Sequence, residues 1–174
     1  GTDLTNTNLS GADLTNTDLT NTDLTGADLT KSRLIGLDLK TTLFTNSILT
    51  GADLTGADLT GTDLTNINLS KAELGNTKLG NAILTGADLT NANMFEADLN
   101  NAILSKADFT GAMMTEINLS KSKLIETILT GADLTNTILT GADLTGADLS
   151  GADLSRSNLI GIDFTTTIVS KTIF

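Results

Sequence analysis

Every fifth residue of this chain is large and apolar. Written in fives from Gly1, the fourth place runs Leu4, Leu9, Leu14 and on to Phe174 without a slip. Of the 35 fourth places, 28 are Leu; the others are Phe44, Met94, Phe109, Met114, Phe164, Val169 and Phe174. The second place is Ala, Thr or Ser, apart from Leu37, Ile67, Ile117 and Ile162. No second or fourth place carries a charge, and all 17 Asp residues stand in the third place. Places two and four therefore face inward, and places one, three and five face water.

Neither regular element keeps that pattern. An α-helix turns ~100° per residue, so leucines five apart scatter around its axis. A straight strand puts places two and four on one face and sends the next pair to the other. A short extended piece followed by a corner satisfies both constraints. The fifth and first places form the corner, with Thr or Ser followed by Gly or Asn, and the latter two tolerate positive φ. Fourteen of the 16 Gly are in the first place. A chain that turns the same way every five residues coils, and stacked coils pair their backbones at ~4.8 Å. The number of corners per coil stays open at this point.

Composition narrows the chemistry. The chain of 174 residues has no Cys, His, Pro, Trp or Tyr. Ser–His and Cys–His nucleophiles are thereby excluded. The acidic residues are spread along the whole chain rather than gathered into a pair or a cage, so neither catalysis nor a metal or other cofactor is expected. A net charge of −11 argues against direct binding to nucleic acid or to an anionic membrane. No apolar run is long enough to span a bilayer. The expected location is the cytoplasm. Because the chain starts at Gly1, the alternative is an exported or lumenal mature protein whose targeting segment has been removed.

Copies such as Ala132-Asp133-Leu134 and Ala147-Asp148-Leu149 fit the consensus A-(D/N)-L-x-x. The whole chain resembles the pentapeptide-repeat family. The resemblance implies an all-β fold: a right-handed quadrilateral parallel β-helix, one uninterrupted domain over residues 1–174. Four copies then make a coil of 20 residues, giving about eight to nine coils and a rod about 42 Å long. On that frame residues 20 apart are stacked. Arg33 falls between Asp13 and Asp53, Lys78 between Asp58 and Asp98, and Lys106 beside Glu126. Asp18, Asp38 and Asp58 form a column with no cation of its own, where like charges are expected to raise some carboxylate pKa values unless hydrogen bonds from neighbouring Thr or backbone N–H offset them.

The candidate interaction residues are outward apolar groups and the C-terminal end. Leu43, Ile83 and Ile103 occupy third places on one face, and Ile48, Ile128 and Ile168 on another; Phe95 and Ile125 project from fifth places. Ile162, Phe164, Ile168, Ile173 and Phe174 crowd the last coil, where end-to-end association into a homodimer or a missing flanking segment is expected rather than a tolerated open end. The function expected is that of a non-enzymatic interaction or scaffold rod with a protein partner. The alternative rests on the resemblance: some family members mimic DNA and bind a type II topoisomerase such as DNA gyrase.

Overall fold

The computed structural model describes all residues from 1 to 174, and it is a stack of four-sided coils. Every bridge joins residues 20 apart in parallel, from Asp3↔Asp23 to Asp153↔Ile173. The sides are numbered here by their third-place residues. Side 1 carries 3, 23, 43 and so on; side 2 carries 8, 28, 48; side 3 carries 13, 33, 53; side 4 carries 18, 38, 58. Fourth-place side chains fill the axis and second-place Ala lets the walls approach; both are buried through the body of the rod.

The five places follow from the need of each backbone N–H for a partner. The repeat Gly86–Thr90 shows all five. The N–H of Gly86 reaches the carbonyl of Ser105, 3.0 Å away in the next coil, and that of Leu89 reaches Asp108 at 2.8 Å. The N–H of Asp88 pairs with Ile67 of the previous coil at 2.9 Å. The N–H of Ala87 closes the corner on the carbonyl of Leu84, 3.0 Å away. The fifth N–H, from Thr90, has no backbone carbonyl to meet. It donates to Oδ1 of Asp88 at 2.9 Å. The third place is thus Asp or Asn because the corner needs a side-chain acceptor two residues before its start, as in an Asx turn.

The corner also explains the first place. Each first-place residue from Asn6 to Lys171 has positive φ, except Thr41 and Thr166. A type II turn demands that conformation at its third residue, which favours Gly and Asn. Thr is branched at Cβ and does not reach it at reasonable cost. At both Thr corners the preceding side lifts off the coil beneath: no bridge joins 18 to 38 or 143 to 163, and at Thr41 none joins 43 to 63. The Thr hydroxyl partly compensates. Oγ1 of Thr41 accepts from the N–H of Asn21 at 2.9 Å, and Oγ1 of Thr166 accepts from that of Gly146 at 3.1 Å.

Buried hydroxyls in the second place are satisfied by fourth-place carbonyls. Ser122 donates to Leu119 three residues back at 2.7 Å, while Thr127 donates to Leu104 one coil below at 3.0 Å. Ser32 is fully buried with its hydroxyl unpaired.

Candidate interaction surface

The outward Asp residues are tied to the corners before they meet any partner. Oδ1 of Asp18 accepts from the hydroxyl and N–H of Thr20 at 2.6 and 3.0 Å, and Asp143 does the same with Thr145. The hydroxyl first and the N–H second hold both carboxyls below their ordinary value of 3.8. Burial pushes Asp58 up, but the Thr60 hydroxyl and N–H, followed by Lys40, bring it below the ordinary value. Asp18 and Asp58 therefore do not show the rise that like-charge repulsion alone predicts. Turn hydrogen bonds hold both down, and Lys40 leans over the column with Nζ 3.2 Å from Asp38 and 3.5 Å from Asp58. Lys40 occupies a fifth place, whose outward direction was the available signal. Asp38 first and Asp58 next raise the Lys40 pKa.

The stacked ion pairs form largely as the 20-residue frame requires. Arg33 meets Asp13 at 2.8 Å, Lys78 meets Asp58 at 4.0 Å, and Lys106 meets Glu126 at 3.7 Å. Arg33 makes no such contact with Asp53, nor Lys78 with Asp98.

Outward apolar residues depart from this scheme in a specific way. Where Leu43, Ile83, Ile103 or Met113 replaces Asp, the fifth-place N–H of Thr45, Thr85, Ser105 or Thr115 loses its side-chain acceptor and is left to water. Leu43 is 55% exposed and Met113 51%. Ile83 and Ile103 are half-buried and bridged directly to one another on side 1, with Leu43 separated from them by Asp63. Phe95 is exposed at the end of side 3. Met113 and Ile138 belong to the same class; the third-place rule identifies them once it is applied to every copy.

The C-terminal residues divide. Ile168, Ile173 and Phe174 are exposed, whereas Ile162 and Phe164 are half-buried against the core. Phe164 packs edge-to-face on Phe174, with ring centroids 5.5 Å apart. The surface has no pocket and no group of three or more metal-capable side chains. No helix is long and apolar enough to cross a membrane.

The chain as a whole is similar to known proteins. A pentapeptide repeat protein from the thylakoid lumen of Arabidopsis thaliana is 36% identical over 55% of this chain, with a TM-score of 0.53. The match covers 66% of that protein, just under two thirds of its length. HetL, a pentapeptide repeat protein involved in heterocyst differentiation regulation in the cyanobacterium Nostoc sp. strain PCC 7120, is 32% identical. That match covers 98% of this chain and 84% of HetL, with a TM-score of 0.47. QnrB1, a plasmid-mediated fluoroquinolone resistance protein, is 22% identical in a trypsin-treated form; the match covers 97% of this chain and 79% of that one, with a TM-score of 0.43. No curated protein matches the chain. The model for pentapeptide repeats matches in overlapping segments that together run from residue 1 to residue 165, so the chain belongs to the pentapeptide-repeat family.

Proposed function

We propose that the protein is a non-catalytic interaction rod: a single right-handed unit of eight to nine coils that binds a protein partner through the outward places where Asp is missing. One observation carries this reading. At Leu43, Ile83, Ile103 and Met113 the chain forfeits a corner hydrogen bond, and at Leu43 and Met113 it also leaves an apolar group about half exposed. Phe95 adds an aromatic anchor of the kind that dominates binding energy at interfaces. Ile162, Phe164, Ile168, Ile173 and Phe174 would serve a second contact at the C-terminal end, joining two copies.

Restoring the consensus tests the reading without disturbing the core. Leu43→Asp, Phe95→Thr and Ile103→Asp together should leave the rod folded and remove the partner captured by the original chain, quantified by mass spectrometry against that chain. A partner retained equally by the consensus rod overturns the reading.

A second reading, an acidic mimic of DNA acting on a type II topoisomerase, is favoured by carboxylates such as Asp18 and Asp143, held ionised by their corners. Gyrase supercoiling measured over a salt series decides it: no binding at low salt, where acidic mimicry is strongest, removes it. The cytoplasm is the compartment we assign. The lumenal origin of the Arabidopsis relative supplies the alternative, which cell fractionation separates.

A further inference from the structure

We propose that the rods associate side by side, side 1 of one copy meeting side 3 and its following corner on another. The inference rests on the reading of outward apolar places as partner sites, and it names the partner as a second copy of this chain.

Side 1 has a window unlike the rest of an acidic rod. Across residues 81–85, 101–105 and 121–125 it carries no acid; its charged residues are Lys121 and Lys123. Ile83 stacks on Ile103, and Ile103 on Lys123, through direct bridges. Ile125, two residues beyond Lys123, is the diagonal neighbour of Ile103, within reach of a long side chain. The general repulsion expected between two chains of charge −11 is therefore relieved locally over three coils.

The opposite side has the complementary surface at the same height. Asn93 bridges Met113, which makes Phe95 and Met113 diagonal neighbours, 40% and 51% exposed. Glu96 and Glu116 line the corner that follows. Each holds a positive φ, 56° and 62°, that Gly or Asn adopts more readily. Neither carboxylate has an ion-pair or hydrogen-bond partner within the chain. Asp carboxylates elsewhere are occupied by their own corners; these two are free. An apolar pair edged by free glutamates faces an apolar column edged by lysines, and both are in the middle of the rod.

Sides 1 and 3 are opposite walls of the coil. A contact between them is heterologous, so a rod that uses one wall still offers the other, and association continues into an open array rather than stopping at a dimer. The end contact at Phe174 would add rods along the axis instead.

Sedimentation velocity and light scattering on the full chain, from micromolar into the millimolar range, test this. The average mass should rise with concentration past that of a dimer, and fall as salt is raised from about 50 to 500 mM. Glu96→Lys with Glu116→Lys, and separately Lys121→Glu with Lys123→Glu, should each weaken association at least about tenfold while leaving circular dichroism unchanged. An equimolar mixture of the two variants should associate again. A strict monomer at every concentration overturns the proposal, as does an association abolished by Phe164→Asp and Phe174→Asp but not by the charge variants. Loss on changing the glutamates alone also overturns it and points instead to a basic partner. Failure here with the captured partner retained rejects the side-by-side contact and leaves the interaction-rod reading standing. Self-association beside a partner indifferent to the consensus variant does the reverse.

Discussion

Residues 51–155 and the segment around Thr41 obey the same five-place rule and differ in the residue at the corner. Through the first, every third-place residue is bridged to the coil above or below without a break. At the second, a single β-branched residue in the first place leaves side 4 unpaired beneath and side 1 unpaired above. The outward places tolerate Asp, Asn, Lys, Arg, Glu, Ile and Met with the ladder intact. The corner does not tolerate Thr. Backbone conformation at the corner is thus the stringent requirement of this fold, and outward chemistry is the free variable. The defect at Thr166, with the same hydroxyl substitution for a lost carbonyl, shows that the cause is the residue and not its surroundings.

The contrast is most severely tested in the core. Leu99 and Leu39 are both fully buried fourth-place residues. Leu99→Ala should cost about 3–5 kcal/mol because its walls are paired on all sides and collapse little. Leu39→Ala should fall near about 2–3 kcal/mol, since the wall beneath it is already unpaired and can relax. Equal values in urea denaturation would remove the distinction between the two regions.

Corner exchange comes next. Asn81 has φ 59° in the same corner column as Thr41. Asn81→Thr should introduce the defect there, destabilising by about 1–3 kcal/mol. Thr41→Asn should close the existing one and stabilise by about 1 kcal/mol. The amide of Leu19 reports on it directly: unpaired now, it should exchange quickly and become protected in the variant. A Leu19 amide already protected in the original chain contradicts the defect.

A similar gain is expected at Ser32, whose column of second-place residues is otherwise Ala as far as Ala152. Ser32→Ala removes an unpaired buried hydroxyl and should stabilise by about 1 kcal/mol in the same assay.

Acid gives the smallest effect per residue. Asp18, Asp143 and Asp163 have folded pKa values below 3.8. Their contribution is present above that value and is lost as pH falls through the lower folded values. The melting temperature should be level between about pH 7 and pH 5 and drop below about pH 4. Replacing these Asp residues by Asn, which keeps an acceptor for the corner as Asn68 does for Ser70, should flatten the drop.

Most of the fold was legible in the chain because a strict five-residue period with uncharged second and fourth places admits few backbones. Arg33 beside Asp13 and Lys106 beside Glu126 follow from the 20-residue coil alone. The carboxylate behaviour does not follow from charge spacing, because the deciding contact is local: Oδ1 of Asp18 takes both the hydroxyl and the N–H of Thr20. The Thr41 defect had a visible signal, a β-branched residue where Gly or Asn belongs, but its consequence is read only when each N–H is followed to its partner. The candidate surface was legible as a set of exceptions. Which exceptions share a wall depends on the coil frame, which joins Ile83 to Ile103 and separates Leu43 from both.

Four sides of five residues make the chain a counter. A duplication of 20 residues lengthens the rod by one coil and leaves every column in line. A duplication of five turns everything above it by one wall. Inserted between Leu43 and Ile83, it would carry Ile83 and Ile103 onto a different side from Leu43 while preserving their relation to Phe95 and Met113. Small changes in gene length can thus re-aim one surface against another without altering a single contact residue.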